Sequence, residues 1–145
     1  MPEITSLARM ENLQRLTQFV AKQAQSAHLP ARRVRKIELA VEEVLVNIFS
    51  YAYPDAEGPV SIACQTANDR LIIEIRDIGV PFNILEVPNP DVGAQLSERQ
   101  IGGLGAFFVR KIADEVHYRR EEDQNVLVLI FDHHSQDTST FQIGA

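Results

Sequence analysis

Apolar residues recur along this chain with two periods, and the switch between them predicts its elements. From about Leu7 to Ala27, the residues Met10, Leu13, Leu16, Phe19, Val20 and Ala24 fall at helical spacing and predict an amphipathic helix. Ile4 and its neighbours read as a short strand before it. His28-Leu29-Pro30 interrupts the pattern, and Pro30 suits the first position of a second helix. With Val41 at zero and about 100° per residue, Val34, Ile37, Val44, Leu45 and Ile48 gather within about 60° of it and predict a core face. Leu39 and Val46 fall on a second apolar strip. This helix runs to about Ala52, where Pro54-Asp55 and Gly58-Pro59 supply turn chemistry.

Beyond Gly58 the period drops to two. Val60 to Thr66 and Arg70 to Asp77 read as strands joined by Ala67-Asn68-Asp69; Leu71, Ile73 and Ile75 point one way, and Ile72, Glu74 and Arg76 the other. The second strand ends in Asp77-Ile78-Gly79-Val80-Pro81-Phe82, and from there to about Ile101 the sequence is irregular and contains Pro88, Pro90 and Gly93, as expected of a functional or mobile loop. Ala106, Val109, Ile112 and Ala113 predict another helix. Val116 to Arg120 and Val126 to Phe131 form a last hairpin across Glu121-Glu122-Asp123-Gln124-Asn125. The order predicts an α+β fold, a two-layer α/β sandwich with helices on one face of a mixed, mostly antiparallel sheet. One domain over residues 1–132 is expected, followed by a polar, frayed tail over 133–145 that begins around Asp132 and includes His133-His134-Ser135.

Composition narrows the function classes. The 145 residues suffice for one ordinary core, and 45% hydrophobic with 23% charged residues is the balance of a globular protein. The longest apolar run, Val126 to Phe131, is too short to span a bilayer, and the N-terminus lacks the basic start and apolar core of a signal peptide, so a cytoplasmic protein without a membrane partner is expected. A net charge of −6 argues against direct nucleic-acid binding. The basic cluster Arg32-Arg33-Val34-Arg35-Lys36, followed by Glu38, Glu42 and Glu43, reads as a solvated, ion-paired helix face. The single cysteine, Cys64, alternates with Val60 and Ile62 and reads as a small buried hydrophobe.

Three stretches could carry chemistry. Glu43 and Asn47 stand one helical turn apart between the two apolar strips, at about 200° and 240°, and are expected to be half-buried. A half-buried carboxylate is paired or used; mutual hydrogen bonding or capping of a neighbouring loop is the structural alternative. Asp77-Ile78-Gly79 closes a strand, where Gly79 admits a close ligand or a tight turn and Asp77 could accept a hydrogen bond from an exocyclic amine. Gly102, Gly103 and Gly105 precede a helix whose first N–H groups could receive phosphate oxygens. The run is neither a dinucleotide fingerprint, since Phe108 occupies the last glycine position, nor a Walker loop. His28, His117, His133 and His134 show no metal-ligand spacing.

Taken in order, these stretches resemble one known site. Glu38-Leu39-Ala40-Val41-Glu42-Glu43-Val44-Leu45-Val46-Asn47 with Ala52-Tyr53-Pro54-Asp55, then Asp77-Ile78-Gly79-Val80-Pro81-Phe82-Asn83, then Ile101-Gly102-Gly103-Leu104-Gly105 with Val109-Arg110-Lys111 and Asp114-Glu115-Val116, are similar to the motifs of the GHKL, or Bergerat, ATPase class. Within it the chain looks most like the bacterial anti-sigma-factor serine/threonine kinases of the RsbW and SpoIIAB type, over about residues 8–131.

The resemblance implies ATP and Mg²⁺ as cofactors, with Asn47 ligating the metal and Glu43 as general base. It implies that Asp77 holds the adenine amino group, that Gly79 lines the base pocket, and that Gly102, Gly103, Leu104 and Gly105 belong to the ATP-binding segment over the phosphates. The implied partners are a sigma factor and a STAS-domain anti-anti-sigma factor phosphorylated on Ser or Thr, with a second copy of the chain as a further candidate. The chain departs from the pattern in two stretches. Ser50 and Tyr51 stand where many relatives carry a basic residue and a histidine, and Pro81 stands where the wider class often has glycine. The first departure leaves open a non-catalytic, nucleotide-gated protein-binding switch.

Overall fold

The computed structural model describes residues 1–88 and 103–133. Its elements are β1 (Glu3–Leu7), α1 (Leu13–Ser26), α2 (Ala31–Tyr51), β2 (Pro59–Ala67), β3 (Arg70–Asp77), α3 (Gly103–Ile112), β4 (Glu115–Glu121) and β5 (Gln124–Asp132), with 3-10 turns at Met10–Asn12 and Ile84–Glu86. The strands form one sheet in the order β1-β2-β3-β5-β4, and every neighbouring pair is antiparallel. The expected admixture of parallel pairing is therefore absent among the described residues, because both hairpins turn back directly and β5 returns antiparallel beside β3.

Period-two alternation drives the sheet onto the helices. Val60, Ile62 and Cys64 of β2, Leu71, Ile73 and Ile75 of β3, and Leu127, Leu129 and Phe131 of β5 are buried in one core with Leu16, Val20 and Ala24 of α1, the Ile37 to Ile48 face of α2, and Ala106 and Val109 of α3. Burial pushes the Cys64 thiol up to about 12, as suits an inert core residue.

Several expectations shift at their edges. The first helix begins at Leu13, behind the 3-10 turn, rather than near Leu7, and Pro30 serves as the extended residue capping α2 (φ −63°, ψ 151°). Leu39 is 49% exposed, so the second apolar strip is not a core face at that position. The polar run from Glu121 to Asn125 is mostly strand: only Glu122 and Asp123 form the turn, with φ of 48° and 65°. Asp132 and His133 do not fray. The Asp132 N–H donates to Asp114, and the His133 N–H donates to the Asp69 carbonyl at 2.9 Å. Positions 134–145 lie outside the described residues.

Arg32 and Arg35 of the basic cluster are exposed, as a solvated face requires, but Arg33 is not. It is only 4% exposed, donates to Asp114 at 2.8 Å and to the Asp132 carbonyl at 3.1 Å, and lies 5.7 Å from the Phe131 ring centre. The guanidinium thus joins the start of α2 to the end of α3 and the end of β5. No described helix is long and apolar enough to cross a membrane.

Candidate functional site

The site is built where the end of α2 meets the end of β3 and the start of β5. Asp77 is the next member of the inward series Leu71, Ile73 and Ile75, so strand parity alone carries a carboxylate into the core layer, where it is 6% exposed. Asn125 is likewise the inward position before Leu127, Leu129 and Phe131, and it pairs directly opposite Asp77. Asp77 Oδ1 accepts from the Gly79 N–H and from Asn125 Nδ2, each at 2.9 Å. Oδ2 takes no hydrogen bond among the described residues. Burial pushes the Asp77 carboxyl above its usual range, while these two donors and nearby Arg120 pull it back down.

The loop after β3 is fixed residue by residue. The Ile78 N–H donates to Tyr53 Oη at 2.9 Å, the Val80 N–H to the Ala52 carbonyl at 2.9 Å, and the Phe82 N–H to Asn125 Oδ1 at 3.2 Å. Arg120 donates to the Gly79 carbonyl at 2.8 Å. A Cβ at Gly79 would stand 2.3 Å from the Ala52 carbonyl oxygen, so glycine is required by backbone meeting backbone. Tyr53 also donates to the Pro59 carbonyl at 2.5 Å, tying the turn after α2 to the start of β2.

Asp77, Asn125 and Asn47 share one cavity of about 40 Å³, walled by Val44, Ile48, Tyr51, Ala52, Ile75, Phe82, Ile84, Tyr118 and Leu127. An apolar wall with a few converging polar groups is the form of a small-molecule site. The Asn47 Nδ2 atom is buried and makes no hydrogen bond among the described residues. An orphaned buried amide costs about 1–3 kcal/mol, a cost that a ligand at this position would relieve.

Glu43 is half-buried one turn earlier on α2 and faces the start of α3: a Cβ on Gly105 would stand 2.5 Å from Glu43 Oε1. Burial, and then the neighbouring Glu42 charge, push its carboxyl above the usual range. Glu43 and Asn47 form no hydrogen bond with each other among the described residues, so the mutual-bracing alternative does not describe them. Gly103 and Leu104 open α3, with Leu104 50% exposed, whereas Gly102 lies outside the described residues. So does the expected loop up to Ile101, from position 89 onward.

Sequence reasoning gave Asn125 and Tyr118 no role. The Asn125 side chain is the polar centre of the pocket floor, and Tyr118 donates to its Oδ1 at 2.6 Å. Inward parity of Leu127, Leu129 and Phe131, extended two residues backward, points to Asn125.

Comparison with known proteins agrees with this architecture. Among curated proteins, the chain is 25% identical over 132 residues to the serine-protein kinase RsbW of Listeria monocytogenes, covering 88% of this chain and 79% of that one. It is 26% identical over 96 residues to the RsbW of Bacillus mycoides, covering 63% and 60%. The RsbU and RsbW domains of Rv1364c from Mycobacterium tuberculosis share its fold, with a TM-score of 0.59 at 13% identity over 91% of this chain and 32% of that one. The histidine kinase AdeS of Acinetobacter baumannii gives a TM-score of 0.52 at 11% identity over 93% of this chain and 70% of that one. The profile of the histidine kinase-like ATPase domain matches residues 7–131, from the end of β1 through β5, and the chain belongs to that family.

Proposed function

We propose that this chain is an ATP- and Mg²⁺-dependent serine/threonine protein kinase that acts as an anti-sigma factor in the cytoplasm. In this reading it binds a sigma factor and phosphorylates a STAS-type antagonist. The observation that carries it is the orphaned Asn47 amide in the same cavity as a buried Asp77 with one oxygen uncommitted. Resemblance to RsbW kinases supports the choice of partners.

Each residue then has a task. Asp77 Oδ2 accepts from the exocyclic amine of adenine, and Gly79 lets the loop backbone pass close to Ala52 beside the base. Asn47 would hold Mg²⁺, which supplies charge neutralisation on the phosphates. Its Oδ1 is a neutral oxygen ligand of the kind Mg²⁺ takes, and its Nδ2, unpartnered among the described residues, would donate to a phosphate oxygen. Glu43, raised by burial, is suited to take the proton of the acceptor hydroxyl. Gly103, Leu104 and Gly105 place the first turn of α3 against Glu43, where helix N–H groups favour phosphate oxygens; Gly102 is proposed to extend this segment.

Calorimetry with Mg²⁺ tests the nucleotide reading. ATP and ADP are expected to bind, and GTP to bind about 5- to 150-fold more weakly, because a guanine carbonyl opposite Asp77 leaves a buried carboxylate unsatisfied at about 1–3 kcal/mol. Asn47→Ala is expected to weaken ATP binding chiefly when Mg²⁺ is present. Equal affinity for GTP would refute the role of Asp77. A second reading, a nucleotide-gated switch without phosphoryl transfer, draws on Ser50, which is not basic, and on Tyr51, which walls the cavity.

A further inference from the structure

Asn125 is 5% exposed and has all of its hydrogen-bonding capacity filled. Its Nδ2 donates to Asp77 Oδ1 at 2.9 Å and to the Val80 carbonyl at 2.8 Å. Its Oδ1 accepts from the Phe82 N–H at 3.2 Å and from Tyr118 Oη at 2.6 Å. Two of these partners are backbone groups whose donor and acceptor identities cannot change. The orientation of the carboxamide is therefore determined: reversing it would set oxygen against the Val80 carbonyl and NH₂ against the Phe82 N–H.

We propose that Asn125 is the positioning residue that makes this site selective for an amino-bearing purine, by committing Asp77 Oδ1 and leaving Oδ2 as the acceptor on the cavity side. The inference rests on the nucleotide reading given above and adds a determinant that acts through Asp77. A carboxylate in this position accepts from an amine, whereas a protonated carboxyl could donate to a purine carbonyl. Selectivity thus requires that Asp77 remain an acceptor in a buried place that disfavours its charge. Asn125 presents hydrogen to it from β5. Arg120 of β4 favours the charge, and the Tyr53 hydroxyl, which accepts from the N–H of the next residue, Ile78, lies in the turn after α2. Because Asn125 also holds Val80 and Phe82, the same side chain fixes both the carboxylate and the loop beside the base.

The test uses the full chain with Mg²⁺ and compares affinity for ATP with affinity for inosine triphosphate, which carries a carbonyl in place of the amine. Asn125→Ala is expected to narrow the ATP preference by roughly tenfold, the scale of one hydrogen bond to a charged group. A merely structural role would weaken both nucleotides alike and leave their ratio unchanged; an unchanged ratio in the folded variant overturns the assignment. Should Asn125→Ala fail to melt cooperatively, Tyr118→Phe decides. It removes only the hydroxyl donated to Asn125 Oδ1 and is expected to narrow the ratio about two- to fivefold, with no change again overturning the proposal. Wild-type protein that binds neither nucleotide would overturn the nucleotide reading itself, and this inference with it.

Discussion

Replacing Glu43 with glutamine is expected to leave ATP affinity within about twofold and to slow single-turnover phosphorylation of a cognate antagonist by about 10²- to 10⁴-fold. That loss equals roughly 3–5 kcal/mol of barrier. Glutamine keeps the size of the side chain against Gly105 and removes only the basic oxygen. The wild-type rate should also carry an acid limb. A base must be deprotonated, and burial raises Glu43 above the ordinary carboxylate range, so transfer falls as pH drops through that raised value. The limb should be missing from the glutamine variant. If transfer is unchanged, Glu43 is not the base; if wild-type protein binds ATP and transfers nothing, the switch reading replaces the kinase.

Asp114→Ala is expected to cost about 3–5 kcal/mol of stability, the usual price of taking the carboxylate from a buried guanidinium. Arg33 would lose the ion pair that ties it to Asp114, and the Asp132 N–H would lose its acceptor as well. At about 2–4 °C per kcal/mol for a domain near this size, the melting temperature should fall by roughly 6–20 °C. Changing both partners together, as Arg33→Met with Asp114→Leu, should restore much of the loss. A fall below about 1 kcal/mol for Asp114→Ala, within the range of an exposed pair, would show that this pair does not anchor the two layers.

Much of the fold follows from periodicity alone. The 3.6-residue rhythm of Val34, Ile37, Val41, Val44, Leu45 and Ile48 and the two-residue rhythm of Leu71, Ile73 and Ile75 are enforced by burial, and the structure keeps both. Glu43 and Asn47 stand half-buried on α2, as their angles between the apolar strips predict. What periodicity could not supply is pairing across distance. Arg33 looked solvated because its neighbours are charged, yet its partner Asp114 is 81 residues away. Asn125 looked like a turn residue inside a run of five polar positions; only the antiparallel register that sets it opposite Asp77 makes it part of a site. The two-residue turn at Glu122 and Asp123 was obscured in the same way, since both adopt positive φ without a glycine to mark them.

The pairing of β3 with β5 also bears on the order in which the molecule assembles. β2 with β3, and β4 with β5, are hairpins that close over two residues each, whereas Asp77 and Asn125 are 48 positions apart. Short hairpins form ahead of a closure that must first overcome the entropy of a long intervening segment. The cavity is therefore completed late, when the seam between the two hairpins closes. A molecule held between Asn47 and Asp77 has no such place on a half-folded chain. It acts as a staple on the finished seam, worth about 2.7 kcal/mol of added stability at a hundredfold excess over its dissociation constant.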